Sequence, residues 1–443
     1  MAMTEARPAS SGDVEKQAES ITASENTTST IAPPTVNALP GVPDGGTQAW
    51  LQVVAAWVLM FNTFGLINTF GVYQTYYESG ALFVSTSSNI AWIGSIQAYA
   101  IMFVGFLSGP VFDAGHLRPL LIGGSFLIVF GHMMLSLCHA YWQVLLAQGF
   151  AIGLGSGLLF VPSVAIMPGY FSKKLGLAIG LAVSGSSLGG IIYPIAFYRL
   201  IREVGFGWSV RILGFIAMAM LLMPIFCMHQ RVKPAAKRAL IDLSAFTDWR
   251  WLSFVFSGTI GFIAVYTVII YLSFYADNAA ITSTEMAFYL VPLLNAGSVV
   301  GRTLPNYLSD IFGPLNIIGP CTIIVGILTL VLIIARSAGA IIAVTILYGV
   351  FSGVFFAMPP VVFVWITKDK SRIGTRIGMG FTFFGLGALA GGPGGGGVLA
   401  TGGGDALNWT GLWIYGGVCA LVSGALFISY RFLITGARLK VKA

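Results

Sequence analysis

The chain has 443 residues, of which 56% are hydrophobic and only 9% charged, with a mean hydropathy of +0.85. Soluble domains carry about 25% charged residues, so this chain could not cover its own surface in water, and lipid must surround most of it. The net charge of +7 would suit a nucleic-acid partner, but the bases stand in short loops beside apolar runs, where they report topology and argue against nucleic-acid binding.

Residues 1–47 contain no Phe or Tyr and no Trp, and are rich in Ser, Thr, Ala, Glu and Pro. Such a segment cannot bury enough apolar surface to offset its chain entropy, so a disordered cytoplasmic tail is expected. It has no apolar core of the kind a cleaved signal peptide needs. From Gln48 onward, apolar runs of about 20 residues recur, each long enough to cross a hydrocarbon core of about 30 Å. Twelve are expected, over 48–72, 90–111, 119–138, 141–166, 175–198, 208–229, 249–275, 286–309, 314–335, 339–366, 376–400 and 409–431. Lipid tolerates no unpaired backbone and the alternating strands of a barrel are absent, so the runs read as helices.

Placing the N-terminus inside puts 18 Lys and Arg on the inner side and 4 on the outer, with one, Arg302, inside a span. That bias orients both termini toward the cytoplasm and makes this a multi-pass integral membrane protein. The plasma membrane is the expected location. The polar stretch 230–248 divides the chain, giving a six-helix bundle over 48–229, a cytoplasmic linker, a second bundle over 249–431 and a short cytoplasmic tail over 432–443. The halves show traces of a repeat. Asp113 and Asp310 each follow the second helix of a half, and Gly149, Gly153, Gly180 and Gly185 recur 200 residues on as Gly349, Gly353, Gly380 and Gly385. The fold class is therefore all-α, with twelve membrane helices in two pseudo-symmetric bundles, and a cavity is expected at their interface.

Short motifs refine this. "GPVFDAGHLR" (109–118) puts an acid, a glycine turn and a base at an inner helix end. Asp113 could bond a helix N-terminus and pair with Arg118, latching the bundles, with Asp310 as its second copy. The plain alternative is a loop ion pair of about 0–1 kcal/mol. "PGYFSKKLGLAIGLAVSGSSLGG" (168–190) follows a basic hinge with the spaced pairs Gly176–Gly180 and Gly185–Gly189, which allow close helix approach. The helix 2–3 motif resembles that of the major facilitator superfamily, and the 168–190 string resembles its monocarboxylate porter family. "PDGGTQAW" (43–50) looks like the same family's entry motif, and "NTFGVYQTYYE" (68–78) like its fungal branch. The resemblance spans about residues 42–431.

That likeness implies the major facilitator fold and a secondary carrier of small organic acids, often coupled to protons and working by alternating access. Its best-known members carry a lysine late in helix 1 and an Asp–Arg pair in helix 8. Position by position the arginine falls on Arg302, the aspartate on Ser298 and the lysine on Val72, so this chain departs from the pattern at two of three charges. The fungal branch is broader and includes exporters of secondary metabolites.

Arg302 stands out independently of any family. No acid lies within seven residues of it, and an intramembrane charge costs at least about 2.5–3.5 kcal/mol at a helix centre. Asn295, Ser298 and Arg302 are spaced to share one helix face. With Asn68 and Tyr266 they form the expected substrate site, contributed by helices 1, 7 and 8 and suited to an anionic or strongly hydrogen-bond-accepting ligand. The bland alternative is an arginine snorkelling to the inner surface.

Other polar or special residues read more simply. His132 is expected as a neutral hydrogen bonder between helices, Asn62 and Gln97 as cavity lining or packing, and the tryptophans at helix ends as interfacial anchors. "GGPGGGGVLATGGG" (391–404) lacks the ending of a phosphate loop and predicts a flexible helix end. The cysteines, Cys138, Cys227, Cys321 and Cys419, show no metal or redox spacing, so no metal and no cofactor is expected. Nor is an enzyme, since four scattered histidines supply no catalytic cluster. The expected partners are a small-molecule substrate, a proton as candidate co-substrate and the bilayer, with the monomer as working unit. The alternative function is a non-transporting nutrient sensor on a carrier scaffold.

Overall fold

The computed structural model describes residues 43–171, 174–231, 240–369, 372–402 and 406–436, without the side chains of Gly176, Asn306, Tyr307 and Asp310. The expected tail as far as Val42, the middle of the linker (232–239) and the segment 437–443 lie outside the described residues. Pro43–Ala443 forms one compact unit.

Ten helices among the described residues are long and apolar enough to cross a membrane. One of them belongs to a helical stretch, Leu175–Cys227, of 53 residues, about 80 Å at 1.5 Å per residue and too long for one crossing. It breaks at Gly205, whose φ of 72° is open to glycine and strained for other residues. Thr284–Phe312 is a further helix of 29 residues, the one that carries Arg302. Dividing the first and including the second, we read twelve crossings. They are α1 (Thr47–Glu78), α2 (Ser87–Asp113), α3 (Leu117–Leu135), α4 (Tyr141–Gly169), α5 (175–204), α6 (206–227), α7 (Trp249–Asn278), α8 (Thr284–Phe312), α9 (Pro314–Val331), α10 (Ala338–Ile366), α11 (Ile373–Leu399) and α12 (Trp409–Thr435).

The helix ends follow from local chemistry. Thr86, Ser283 and Ser337 cap α2, α8 and α10 by accepting a backbone N–H in the first turn. Gly313, with φ 93°, separates α8 from α9. The first helix runs to Glu78, six residues past the expected end at 72, because Tyr73–Glu78 continue it despite their polarity. It also breaks at Thr63 and Thr69. Their hydroxyls donate to the carbonyls of Leu59 at 2.8 Å and Gly65 at 2.9 Å, back-bonding of the kind that bends helices.

Three helix pairs make the main contacts between the first six helices and the last six: α2 against α11, α5 against α8, and the end of α1 against α7. Exchanging the halves turns the first pair into the second, as a pseudo-twofold axis would. Glycine makes both halves close-packed in equivalent ways. A Cβ on Gly189 would fall 2.5 Å from the Phe61 carbonyl oxygen of α1, and one on Gly391 would fall 2.6 Å from that of Ile263 in α7. Gly185 meets Trp57, and Gly387 meets Thr259, in the same way. The offset in this helix pair is 202 residues. Gly180, part of the first expected pair, has nothing within 4 Å of its Cβ direction, so only Gly185–Gly189 acts as a close-approach motif.

Three expectations change here. The glycines of 391–399 sit inside α11, not in a loose end, and Gly391, Gly392, Gly395 and Gly396 let it approach α7 and α2; Gly403 and Gly404 lie outside the described residues. Trp251 and Trp413 are fully buried and are not lipid-facing anchors, whereas Trp142, Trp208 and Trp249 are exposed. His132 bonds the Ile128 carbonyl of its own helix at 2.8 Å and packs against Gly214 of α6, so its contact between helices is steric.

Candidate functional site

Arg302 projects from α8 about 15 Å along the helix from Phe312, and its side chain is buried at 6% exposure. That burial rules out the snorkelling alternative in this conformation. Its Nε donates to Ser298 Oγ at 3.1 Å, one turn earlier on the same face. Its Nη1 donates to Ser186 Oγ of α5, in the other half of the molecule. The guanidinium lies over the Phe356 ring of α10, 4.8 Å from its centroid, a cation–π arrangement that offsets part of the desolvation. Tyr266 of α7 is close enough to interact electrostatically with it. Arginine is therefore held where α5, α7, α8 and α10 meet.

The predicted residues do not all converge. Ser298, Arg302 and Tyr266 do. The Tyr266 hydroxyl is buried and has no hydrogen-bond partner among the described residues, and the same holds for Asn68 Nδ2 in the middle segment of α1. Buried polar groups are normally satisfied, so both are available to a ligand or to water. Asn295 is placed differently. Its Nδ2 donates to the Val291 carbonyl of its own helix at 3.0 Å, and its amide fills the notch left by Gly190 of α5. It is a packing residue of the α5–α8 contact. Asn62 is packing too: its Oδ1 accepts from the Tyr193 hydroxyl at 2.6 Å and joins α1 to α5.

Sequence reasoning missed Ser186 and Phe356. A signal for the first existed in Ser184–Ser187, where three serines interrupt an apolar helix. Nothing local marked Phe356, one aromatic among the 32 phenylalanines.

Asp113 is buried at the last turn of α2. Arg118 is exposed on α3 and forms no ion pair with Asp113, which corrects the expected pairing: the turn at Gly115 leads the base out to the surface. The backbone of Asp310 belongs to α8, and its side chain lies outside the described residues.

A stronger polar cluster, unforeseen, joins the linker to α11. Arg376 is buried and donates to Asp242 at 2.9 Å and to Asp248 at 2.7 Å, and Arg372 donates to Asp242 at 2.8 Å. Burial pushes the Asp242 carboxyl up, but hydrogen bonds from Ser244, Arg376 and Arg372 outweigh it and hold it down at about 2. Charge-assisted bonds of this kind tie the short helix Leu243–Thr247 to the second half.

At the expected outer end the halves touch through specific bonds. Tyr271 of α7 donates across to the Ser87 carbonyl of α2 at 3.3 Å and, within the second half, to the Gly392 carbonyl of α11 at 2.9 Å. Ser88 donates to the Pro393 carbonyl at 2.9 Å, and Arg199 of α5 pairs with Glu285 of α8 at 3.3 Å. This end is closed in the structure.

A family model described as Major Facilitator Superfamily matches residues 50–307. The chain belongs to that superfamily. Among curated proteins it is 55% identical over 381 residues to an MFS-type transporter, dbaD, of Emericella nidulans, covering 86% of this chain and 85% of the relative. It is 34% identical over 415 residues to the aspyridones efflux protein apdF of the same organism, covering 93% of this chain and 84% of that one. An MFS transporter of Aspergillus flavus, asaE, is 36% identical over 403 residues, covering 90% of each chain. Among solved structures, a point mutant of the nucleoside transporter NupG superposes with a TM-score of 0.69 at 14% identity, covering 86% of this chain and 99% of that one. This superfamily chain is accordingly a multi-pass membrane transporter with a small-molecule substrate, and its relatives are named as transporters, not enzymes. These findings show the superfamily, not the narrower monocarboxylate porter family.

Proposed function

We propose that the protein exports an acidic secondary metabolite by alternating access, with cargo bound between the halves beside Arg302. The observation that carries this reading is a buried guanidinium at the meeting of the two halves, held to α5 by Ser186 and to α8 by Ser298. A cationic group that touches both halves can sense which of them cargo occupies, and cargo bound there biases the equilibrium between closed and open forms. Tyr266 and Asn68 add donors for a second polar group on the cargo. The efflux wording in the name of the 34%-identical relative favours export over uptake. Gradients of ions or of cargo supply the energy, with a co-transported proton as the simplest driver. Asp113 and Asp310 act as latches on the inner face when the outer face opens, the termini lie in the cytoplasm, the membrane is the plasma membrane and the monomer is the working unit. Residues 48–229 and 249–431 are the two moving bundles.

The test is mass-spectrometric profiling of medium and cell extract from strains that lack or overproduce the protein. Export predicts an acidic metabolite that moves from extract to medium with expression. Unchanged profiles, with the protein present in the membrane, would support the sensor reading instead.

A further inference from the structure

The proposed site leaves open which acids fit, and the aromatic side chains around Arg302 bear on that. Phe356, beneath the guanidinium, meets Phe64 of α1 across the interface with ring centroids 6.3 Å apart. Phe64 in turn packs edge-on against Phe160 of α4 at 5.2 Å. Phe160 meets Phe381 of α11, again across the interface, at 6.3 Å. Two rings from the first half thus face two from the second, and both facing pairs are steeply inclined, at 75° and 61°. Phe262 of α7 adjoins Phe356 at 5.9 Å and brings in Tyr266, whose ring lies near its own and whose hydroxyl is buried without a partner among the described residues. The four facing rings come from four different helices, α1, α4, α10 and α11, so no single amphipathic face explains their convergence beside this buried guanidinium.

When the halves separate, the ring pairs that part are Phe64–Phe356 and Phe160–Phe381. What enters between them meets aromatic faces and edges on both sides and a guanidinium at one end. An aliphatic acid would satisfy the arginine but leave the rings with aliphatic contacts only. A flat conjugated ring stacks on them, at about 0.5–1.5 kcal/mol per aromatic pair beyond the area buried. We propose that the cargo is a planar aromatic or conjugated acid, such as an aromatic carboxylate or an acidic phenol, and not a short aliphatic monocarboxylate. This rests on the reading of Arg302 as the cargo site and narrows its ligand class. Phe64, Phe160, Phe356 and Phe381 set the specificity for the ring, and Arg302 sets that for the charge.

The experiment measures binding to the full chain in nanodiscs with three probes of similar size: 2-naphthoate, its neutral amide 2-naphthamide, and the aliphatic decahydro-2-naphthoate. The expected order is 2-naphthoate tightest, with each of the others weaker by about tenfold. Phe356→Leu and Phe64→Leu should weaken 2-naphthoate several-fold and leave decahydro-2-naphthoate within a factor of about two, since leucine keeps the apolar volume. If decahydro-2-naphthoate binds as tightly as 2-naphthoate, the aromatic proposal fails and the acid-binding reading of Arg302 stands. If the amide binds as tightly as the acid, the charge reading fails and the aromatic one stands. Binding of none of the three overturns both. Should the single leucine variants fold poorly, Phe381→Leu and the probe order in the unaltered protein decide the question.

Discussion

Gly189→Ala tests the packing on which the site depends. The added Cβ would lie 2.5 Å from the Phe61 carbonyl oxygen and 2.9 Å from Gly65 Cα. Carbon and carbonyl oxygen ordinarily approach no closer than about 3.3 Å, so α1 and α5 must part locally by about 0.8 Å. Both obstacles are backbone, which cannot swing aside as a side chain can. Overpacking of this kind costs about 1–3 kcal/mol. The matched control is Gly180→Ala on the same helix, where nothing lies within 4 Å and alanine gains up to about 1 kcal/mol of helix propensity. Thermal unfolding of the detergent-solubilised protein, followed by intrinsic fluorescence, should therefore show a lower midpoint for Gly189→Ala and an unchanged or higher one for Gly180→Ala. Equal midpoints for the two variants would refute the argument that backbone contact, and not glycine content, defines the α1–α5 interface.

Three further outcomes are expected. Tyr193→Phe leaves the buried Asn62 Oδ1 without its 2.6 Å donor and should lower stability by about 1–3 kcal/mol, measurable in the same unfolding assay; no change would mean that water replaces the phenol. The Asp242 carboxyl sits at about 2 in place of 3.8, so its contribution is fully present above about pH 4 and is lost as pH falls toward 2. Asp242→Asn should accordingly be less stable than the unaltered protein at neutral pH, with the difference shrinking between pH 4 and 2; a gap that stays constant over that window would contradict the ion-pair account. Tyr271→Phe removes the donation to Ser87 that joins the halves at the expected outer end, together with one to Gly392 within the second half, so Ser88→Cys in that background should react faster with a membrane-impermeant thiol reagent than Ser88→Cys alone; equal rates would show that this hydroxyl does not hold the closure.

Much of the fold was legible because its causes are local. Lipid demands about 20 apolar residues per crossing, and each such run stands in the sequence whatever its neighbours do. Arg302 was legible for the same reason, as a charge that lipid penalises wherever the helix packs. What depended on distant partners was not. Asn295 has the right face and spacing for a ligand-binding residue, yet Gly190, 105 positions earlier in the chain, turns it into a packing group. Ser186 reads as one more small residue in a glycine-rich helix until the fold brings it to an arginine 116 residues away. The glycines of 391–399 looked like looseness because the groups they approach, on α7 and α2, cannot be read from composition. Asp113 and Arg118 are neighbours in sequence, but the helix turn between them sends one inward and the other out.

The central claim is that Arg302 holds the cargo's negative charge between the halves. It is tested most directly by efflux of the exported metabolite from cells making the Arg302→Ala protein, compared at equal membrane abundance with cells making the unaltered one. The account predicts that efflux falls to the level of cells lacking the protein while abundance is unchanged. Efflux at the unaltered rate, or a loss fully explained by reduced abundance, would contradict it.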